Sequence, residues 1–370
     1  MYKLFTICLL FSFLSTGQNL KNSFAPYFKI GTAINIEQQL DKRRGEFTEL
    51  ISSQFNSLVA ENAMKWDALN PEPNVYNFAL SDKLIDFATE RKMEVVGHVL
   101  FWHNQTPEWL FKDTNGKQVS KDLLIKRMRH HIRVLNKRYG EKIHAWDVVN
   151  EALNEDGSLR DSPWKQILGE DWVQQAFKIA QEELPPKTKL IYNDYNLHNR
   201  NKLMGLLELL HSMQANSIRI DAIGIQAHWA LDYPSHRNLE SLINTLHKNK
   251  VKIHFSELDI DVLPRPKKFD GGAEITESHK YNMFIDPYKE GLPTSIQNQL
   301  ANRYQGLFKV FLKHADKIDR VNFWGLTDEF SWKNQWPVAN RTNHPLLFDR
   351  DGKAKAAFYS IIKTVKPKTP

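Results

Sequence analysis

Eight short runs of apolar and β-branched residues, separated by stretches with helical spacing, constrain the fold of this chain more than any other feature. The intervening segments, such as LSDKLIDFATERK and NRYQGLFKVFLKHADK, repeat apolar residues as an amphipathic helix does. Alternating strands and helices form a parallel sheet, and eight strands can close into a barrel. The sequence therefore predicts an α/β fold, a single (β/α)8 TIM barrel, with an open doubly wound sheet as the alternative. The predicted strands cover residues 28–34, 55–60, 94–101, 144–149, 189–193, 221–227, 251–257 and 320–326.

The chain between residues 25 and 365 has no low-complexity linker and no change of composition that would divide it. Its 370 residues fit one barrel. No glycine-rich phosphate loop follows the first predicted strand, which argues against a nucleotide-binding sheet. We therefore expect one domain over residues 18–370, without a cofactor.

The first seventeen residues have the layout of a secretory signal peptide. A short basic start at residues 1–3 precedes an apolar run over residues 4–14, and Ser-Thr-Gly at residues 15–17 offers small residues for cleavage. A hydrophobic tail or anchor is the alternative. We expect cleavage after residue 17 and a secreted or periplasmic protein that is not bound to a membrane. The only cysteine, Cys8, lies in this segment, so the mature chain would contain no disulfide and no cysteine metal site.

The net charge of +7 comes from lysines and arginines that are scattered along the chain. The most basic stretch, KDLLIKRMRHHIRVLNKRYG, has the pattern of an amphipathic helix with a solvated face. No nucleic-acid-binding motif accompanies it. Nucleic acid is therefore not expected as a partner.

Polar and aromatic residues follow seven of the eight predicted strands. Because the carboxyl ends of parallel barrel strands lie at one face, these side chains are expected to meet there, where barrel enzymes place their active sites. Packing alone does not require this pattern. The residues are Glu61, Asn62 and Lys65 after the second strand, Trp102, His103 and Gln105 after the third, Asn150 and Glu151 after the fourth, Asn193 and Tyr195 after the fifth, Gln226 and His228 after the sixth, Glu257 and Asp259 after the seventh, and Trp324 and Trp332 after the eighth.

Two of these residues, Glu151 and Glu257, form a candidate catalytic pair. They end strands that lie three apart, so their carboxylates would face each other across the barrel mouth. A facing pair suits glycosidic-bond cleavage, in which one group protonates the leaving oxygen and the other attacks the sugar or activates water. The alternative for Glu151 is a helix cap, and for Glu257 a structural ion pair.

The neighbours of the two glutamates suggest a division of roles. Asn150 can bond a sugar hydroxyl, a contact that strengthens in an oxocarbenium-like transition state. His228 can donate to Glu257 and keep it ionised, as a nucleophile requires. Asp259 shares strand parity with Glu257 and can orient the imidazole of His228.

A second polar cluster is predicted from His98, His103 and Asp147. Its spacing matches no metal-ligand signature, so a hydrogen-bonded network that supports the site is preferred over a metal centre. We therefore expect no metal ion.

Three tryptophans in these segments offer flat apolar faces against which pyranose rings can lie. Polar residues beside them would bond the hydroxyl groups at the rim of each sugar. The alternative is that the tryptophans only fill the core. The tryptophans are Trp102, Trp324 and Trp332, and the polar residues are Glu61, Asn62, Lys65 and Gln105.

These motifs together resemble those of the glycoside hydrolase family 10 endo-β-1,4-xylanases along nearly the whole mature chain. The similar blocks appear in the family's order, which makes the resemblance specific although no single block would suffice. They are FNSLVAENAMKWDALNPEPNVYNF, GHVLFWHNQTPEW, WDVVNEAL, YNDYN, IGIQAHW, HFSELDI, and the pair VNFWGLTDEFSW and RTNHPLLFD.

The resemblance implies a catalytic (β/α)8 barrel that hydrolyses xylan and xylo-oligosaccharides with retention, through a covalent glycosyl-enzyme intermediate. It makes Glu257 the nucleophile and Glu151 the general acid/base. We expect a monomer; the alternatives are a non-catalytic xylan-binding protein or a retaining hydrolase of another β-1,4-glycan. By the same resemblance, Glu61, Asn62, Lys65, His98, Trp102 and Gln105 bind xylose units on the non-reducing side, Asn150, Asn193, Tyr195, Gln226 and His228 also contact substrate, and Trp324 and Trp332 lie over the glycone site.

The connection over residues 264–291, after the seventh predicted strand, is unusually long. A Gly-Gly pair at residues 271–272 predicts an exposed loop beside the cleft, on the aglycone side. Such a loop would influence the preference for substituted xylans.

Overall fold

The computed structural model describes residues 19–42, 44–264 and 283–365. Within them the chain alternates strands and helices, as the sequence predicts. The strands are β1 Lys29–Ile34, β2 Ser57–Ala60, β3 Glu94–Gly97, β4 Ala145–Asn150, β5 Lys189–Asp194, β6 Ala222–Ile225, β7 His228–Ala230, β8 Lys252–Asp261 and β9 Ile318–Phe323. The α-helices are α1 Leu20–Phe24, α2 Arg44–Gln54, α3 Trp66–Leu69, α4 Ala79–Glu90, α5 Lys121–Tyr139, α6 Pro163–Leu168, α7 Trp172–Glu183, α8 Arg200–Ala215, α9 His236–Lys248, α10 Thr294–Lys313 and α11 Ala356–Ile362.

The sheet closes on itself through parallel pairings. β1 pairs with β2 on one side and with β9 on the other, and β6 pairs with both β5 and β8. The ring therefore contains eight strands, β1 to β6 followed by β8 and β9. The short β7 continues the path of β6 and pairs only with the far end of β8. The predicted (β/α)8 barrel is confirmed, and the open sheet is excluded.

Two strand ends differ from the predicted ones in ways that shape the barrel mouth. β3 ends at Gly97, four residues earlier than predicted, and the chain beyond it rejoins β4 only through a parallel bridge between Phe101 and Val149. β8 instead runs four residues beyond Glu257, because its far end pairs with β7. In that pairing His228 lies opposite Asp259, so the extension brings these two side chains together.

The barrel has an inner and an outer apolar layer. The inner layer takes one small or β-branched residue from each of the first six strands, together with Trp324. Outside the barrel each helix buries an apolar face; α5, for example, buries Leu124, Met128 and Ile132 at four-residue spacing. Burial of one such side chain contributes roughly 1.5–3 kcal/mol. The inner-layer strand residues are Ala33, Val59, Val96, Ala145, Ile191 and Ala222.

The helix cap that the sequence left open for Glu151 is absent. The next helix along the chain, α6, begins at Pro163, and Ser162 caps it by accepting from the Lys165 amide. Glu151 is buried at the end of β4 instead. Its position therefore needs another explanation.

Several predicted features lie outside the described residues, namely the signal peptide at 1–17 with Cys8, and residues 265–282 of the long connection with its Gly-Gly pair. Across the part of the chain that the structure describes, none of the helices combines the length and apolar character needed to span a membrane.

Candidate active site

A cleft opens at the carboxyl ends of the barrel strands. The chain follows each parallel strand across the same face, so residues far apart in sequence meet there. Eleven side chains line the cleft, all of them among the predicted site residues: Lys65, His98, Trp102, Gln105, Asn150, Glu151, Gln226, His228, Glu257, Trp324 and Trp332.

The carboxylate of Glu151 is buried and accepts three hydrogen bonds. Trp102 Nε1 donates to Oε2 at 3.0 Å, and Gln226 Nε2 and Asn150 Nδ2 donate to Oε1 at 2.8 and 3.2 Å. The backbone of Glu151 has a φ of 57°, in the left-handed region, a conformation that is costly for such a residue and concentrates at functional sites. Burial raises the pKa of Glu151 although His103 and the donors oppose this effect. A raised pKa suits a group that must carry a proton to a leaving oxygen.

The carboxylate of Glu257 has different partners. Asn193 Nδ2 donates to Oε1 at 2.7 Å, and His228 Nε2 lies 3.0 Å from Oε2. The other ring nitrogen of His228 lies 3.0 Å from Asp259 Oδ2. The imidazole therefore connects two buried carboxylates, in the arrangement that strand parity predicts.

His228 is held in its charged form by this arrangement. Burial lowers its pKa, but the carboxylates of Asp259 and Glu257 outweigh burial and raise the pKa to about 9. Burial alone would raise the pKa of Asp259. The charges of His228 and Lys333 and a 2.8 Å hydrogen bond from Trp332 Nε1 outweigh burial and lower this pKa. At neutral pH the imidazolium donates to both carboxylates and places a positive charge beside that of Glu257.

We expect a His228→Gln variant to lose a pH-dependent part of the folding free energy. Because the folded-state pKa of His228 lies above its ordinary value, its stabilisation is complete below about pH 6.5 and disappears as the pH rises through about 9. The shift corresponds to on the order of 3 kcal/mol. Urea unfolding of wild type and variant at pH 6 and pH 10 measures it. An equal difference in unfolding free energy at both pH values would contradict the charged state.

Asn193 connects the Glu151 side of the site to the Glu257 side, because it bonds both Asn150 and Glu257. Its Nδ2 also donates to Asn150 Oδ1 at 2.9 Å, and its own Oδ1 accepts from Ser256 Oγ at 2.6 Å. A Cβ at position 224 would lie 2.2 Å from Asn193 Oδ1, so only Gly224 leaves room for this side chain. Asn193 is fully buried and lies behind the cleft, where it orients Glu257.

The predicted second cluster is partly assembled. His98 Nδ1 lies 2.8 Å from Asp147 Oδ2, and both are buried. Burial lowers the pKa of His98 to about 4 and raises that of Asp147 to about 8, so the uncharged forms of both are favoured at neutral pH. His103 lies beside the ring of Trp102 instead, with ring centroids 6.0 Å apart. Within residues 19–42, 44–264 and 283–365, no group of three or more histidine, cysteine or carboxylate side chains is arranged to hold a metal ion.

Lys65 links the residues that come after β2 with those that come after β3 on one side of the cleft. Its Nζ donates to Asn62 Oδ1 at 2.9 Å and to Gln105 Oε1 at 2.8 Å, and lies 5.1 Å from the centroid of Trp102. Burial lowers the pKa of Lys65 although the charge of Glu61 opposes this effect. Burial also raises the pKa of Glu61, against the pull of Lys65. Asn62 and Glu61 lie beside the cleft and are not among its lining residues.

Two tryptophans, Trp324 and Trp332, line the cleft, and one of them is also part of the barrel core. Trp324 belongs to the inner barrel layer and also lines the cleft, with its ring edge-on to His98 at 5.2 Å. Trp332 packs on His228 at 4.7 Å and stacks on Trp336 at 5.1 Å. Trp324 therefore fits both alternatives that the sequence left open.

Three supporting residues were missed by the sequence interpretation. Lys333 lies 3.6 Å from Asp259, and Trp336 supports Trp332; both belong to the run SWKNQW, in which only Trp332 was selected. Arg160 Nη2 donates to the hydroxyl of Tyr195 at 3.0 Å. Arg160 follows a turn nine residues after Glu151, and no sequence pattern marks it.

Known proteins similar to this chain were identified by sequence and by structure. The family model described as Glycosyl hydrolase family 10 matches residues 19–364. Endo-1,4-beta-xylanase A of Xylanibacter ruminicola is 41% identical over 369 residues, which cover 98% of this chain and 99% of that protein.

Two solved structures are similar over nearly their whole length. A GH10 endoxylanase retrieved from a sugarcane soil metagenome is 39% identical, with a TM-score of 0.88 over 94% of this chain and 99% of that one. An intracellular xylanase of Thermoanaerobacterium saccharolyticum, solved as a glutamate-to-alanine mutant with xylotriose, is 32% identical, with a TM-score of 0.79 over 94% and 99% of the two chains. These matches in sequence and fold, from one end of the described barrel to the other, show that the chain belongs to glycosyl hydrolase family 10.

Proposed function

We propose that this protein is an endo-1,4-β-xylanase that hydrolyses xylan and xylo-oligosaccharides with retention at the anomeric carbon. Its family and its similarity to xylanases support the substrate. The observation that carries the mechanism is the contrast between two buried carboxylates in one cleft. Glu151 has a pKa raised by burial, whereas Glu257 is bonded to a charged His228. Such divergent environments separate an acid from a nucleophile.

The proposed reaction has two steps. Glu257 attacks the anomeric carbon as the bond to the leaving oxygen breaks, and Glu151 transfers its proton to that oxygen. The glycosyl ester on Glu257 is then hydrolysed: Glu151 takes a proton from water, the water oxygen bonds to the anomeric carbon, and the carboxylate of Glu257 leaves. The net change is the addition of one water molecule across the glycosidic bond.

The remaining cleft residues are proposed to hold the xylose units. Lys65, Gln105 and His98 offer polar groups on the glycone side, and Trp332 forms the wall that excludes a hydroxymethyl group. Asn150, which donates to Glu151, is also proposed to bond the sugar's 2-hydroxyl.

We expect xylohexaose to be hydrolysed at least about a hundredfold faster than cellohexaose, because the extra hydroxymethyl groups would collide with the glycone wall. Initial rates measured by chromatography provide the test. Proton NMR should show the β-anomer as the first product, since two inversions retain the configuration. Comparable rates on both oligosaccharides would contradict the xylan assignment, and an α-anomer as the first product would contradict the retaining mechanism.

A non-catalytic xylan-binding protein is disfavoured because both carboxylates are present and have different partners.

We further infer that residues 1–17 are a cleaved signal peptide and that the mature protein is a secreted or periplasmic monomer. The relative described as intracellular shows that family membership does not decide location. Mass spectrometry of the mature N-terminus tests the cleavage and the export that depends on it, and an uncleaved chain would refute both. Light scattering tests the monomer, which a stable dimer would refute.

A further inference from the structure

The ammonium group of Lys202 is fully buried, although lysine is among the residues least often found in that state. Lys202 lies on α8, two residues after its first residue, and its Nζ lies 2.9 Å from Asp194 Oδ1 and 3.3 Å from Glu155 Oε1. A buried ion pair is weak evidence for stability, since desolvation offsets much of the attraction. The pair therefore calls for a reason other than stability.

Lys202 acts on Tyr195 in two ways. Its Nζ lies 3.5 Å from the centre of the Tyr195 ring, a close cation–π contact. Its partner Asp194 also accepts the backbone amide of Tyr195 at 2.8 Å and the hydroxyl of Tyr192 at 2.6 Å. The ring and the backbone of Tyr195 are thus both fixed by one buried ion pair.

Tyr195 is connected in turn to the segment that carries Glu151. Arg160 Nη2 donates to the Tyr195 hydroxyl at 3.0 Å, and Arg160 Nε donates to the backbone carbonyl of Glu151 at 3.2 Å. The Arg160 amide also bonds the carbonyl of Ala152 at 2.8 Å. These contacts hold the backbone at the one residue of the candidate pair whose φ is positive.

We propose that Lys202 is a positioning residue for the general acid/base, acting on Glu151 through Tyr195 and Arg160. The inference rests on the proposed function, in which Glu151 protonates the leaving oxygen. Tyr195 is only 5% exposed, so its ring and hydroxyl lie among internal partners, of which Lys202 and Arg160 are two. Misplacement of the acid by a fraction of an ångström weakens proton transfer while leaving the nucleophile's attack intact.

The test uses two aryl β-xylobiosides of similar size that differ in their need for a proton. Phenyl β-xylobioside has a poor leaving group that needs Glu151, whereas the 2,4-dinitrophenyl compound leaves without protonation. The ratio of kcat/KM for the phenyl compound to that for the dinitrophenyl compound reports on proton donation. Both values come from one sample, so a partly unfolded variant does not distort their ratio.

We expect Lys202→Met to lower this ratio about tenfold, a part of the 10²–10⁴-fold that positioned proton transfer supplies. Tyr195→Phe, which removes only the acceptor of the Arg160 bond, should lower the ratio in the same direction, because it breaks the next link toward Glu151. Lys202→Gln, which keeps a donor to Asp194 but removes the charge from the Tyr195 ring, replaces Lys202→Met in the test if that variant does not fold. Lys189→Met is the control for loss of an ion-paired lysine: Lys189 is half-exposed and pairs with Asp319 at the opposite end of the strand that ends in Asp194. Its ratio should equal that of wild type.

The outcomes separate this inference from the proposed function. If Lys202→Met and Tyr195→Phe lower both rates equally, Lys202 is purely structural and the inference is overturned. Glu151→Gln must lower the ratio more than either variant. If it does not, the proposed role of Glu151 fails, and the inference fails with it.

Discussion

Replacing Glu257 with alanine is expected to reduce kcat/KM on xylan by on the order of 10⁴-fold or more, the scale reached when a hydrolase loses its nucleophile. Without this carboxylate no glycosyl ester forms, and the donors of Asn193 and His228 face an empty space. Reducing-sugar release from xylan measures the loss, and circular dichroism establishes that the variant is folded. More than about 1% residual activity would contradict the assignment, since such a rate exceeds what the remaining groups supply.

A matched control and a rescue sharpen this experiment. Asp261 lies on the same strand and parity as Glu257, is buried and bonded by Asn343, and does not line the cleft. Asp261→Asn should therefore keep activity within about tenfold of wild type.

Azide added to Glu257→Ala should attack the anomeric carbon of an activated xylobioside as the aryl group leaves. The product is then the α-xylobiosyl azide; a β-azide would place the missing nucleophile elsewhere.

Replacing Glu151 with glutamine is expected to lower kcat/KM on xylan by about 10²–10⁴-fold, the usual contribution of a positioned general acid/base. The amide keeps the size of the side chain and can still bond Trp102, Gln226 or Asn150, but it cannot transfer a proton. Formation of the glycosyl ester from 2,4-dinitrophenyl β-xylobioside should fall far less. The initial burst of dinitrophenol measures that step. An equal loss on both substrates would argue against the acid role.

The pH profile provides a second test of Glu151. Because the group acts in its protonated form and burial raises its pKa, wild-type activity on xylan should fall as the pH rises through that raised value. For Glu151→Gln assayed on the dinitrophenyl substrate, this basic limb should disappear. A basic limb that persists unchanged in the variant would assign it to another group.

The periodicity of the chain was sufficient to predict the barrel, because strand and helix spacings reflect which side chains must be buried. The position of the site followed from parallel topology, since residues after successive strands emerge at one face. Strand parity also predicted that Asp259 and His228 would meet near Glu257, and the extended pairing of β7 with β8 brings them together.

Other features depend on contacts that no local sequence pattern predicts. Arg160 reaches Tyr195 across a turn, and Lys202 enters the same cluster from the first turn of α8. The predicted substrate residue Asn193 is fully buried, where it donates to Glu257. Each of these placements is set by packing between segments distant in sequence.

The sequence by itself determined the barrel class, the family and the set of residues that gather at one face, because side-chain periodicity and chain order are local properties. Only the tertiary structure decided which partners each carboxylate has. A pKa depends on burial and on charges within a few ångströms, and in this site those come from other strands. Glu151 is buried among neutral donors and keeps a raised pKa, whereas Glu257 has a charged His228 braced by Asp259. That difference in surroundings is what separates the proposed acid from the proposed nucleophile.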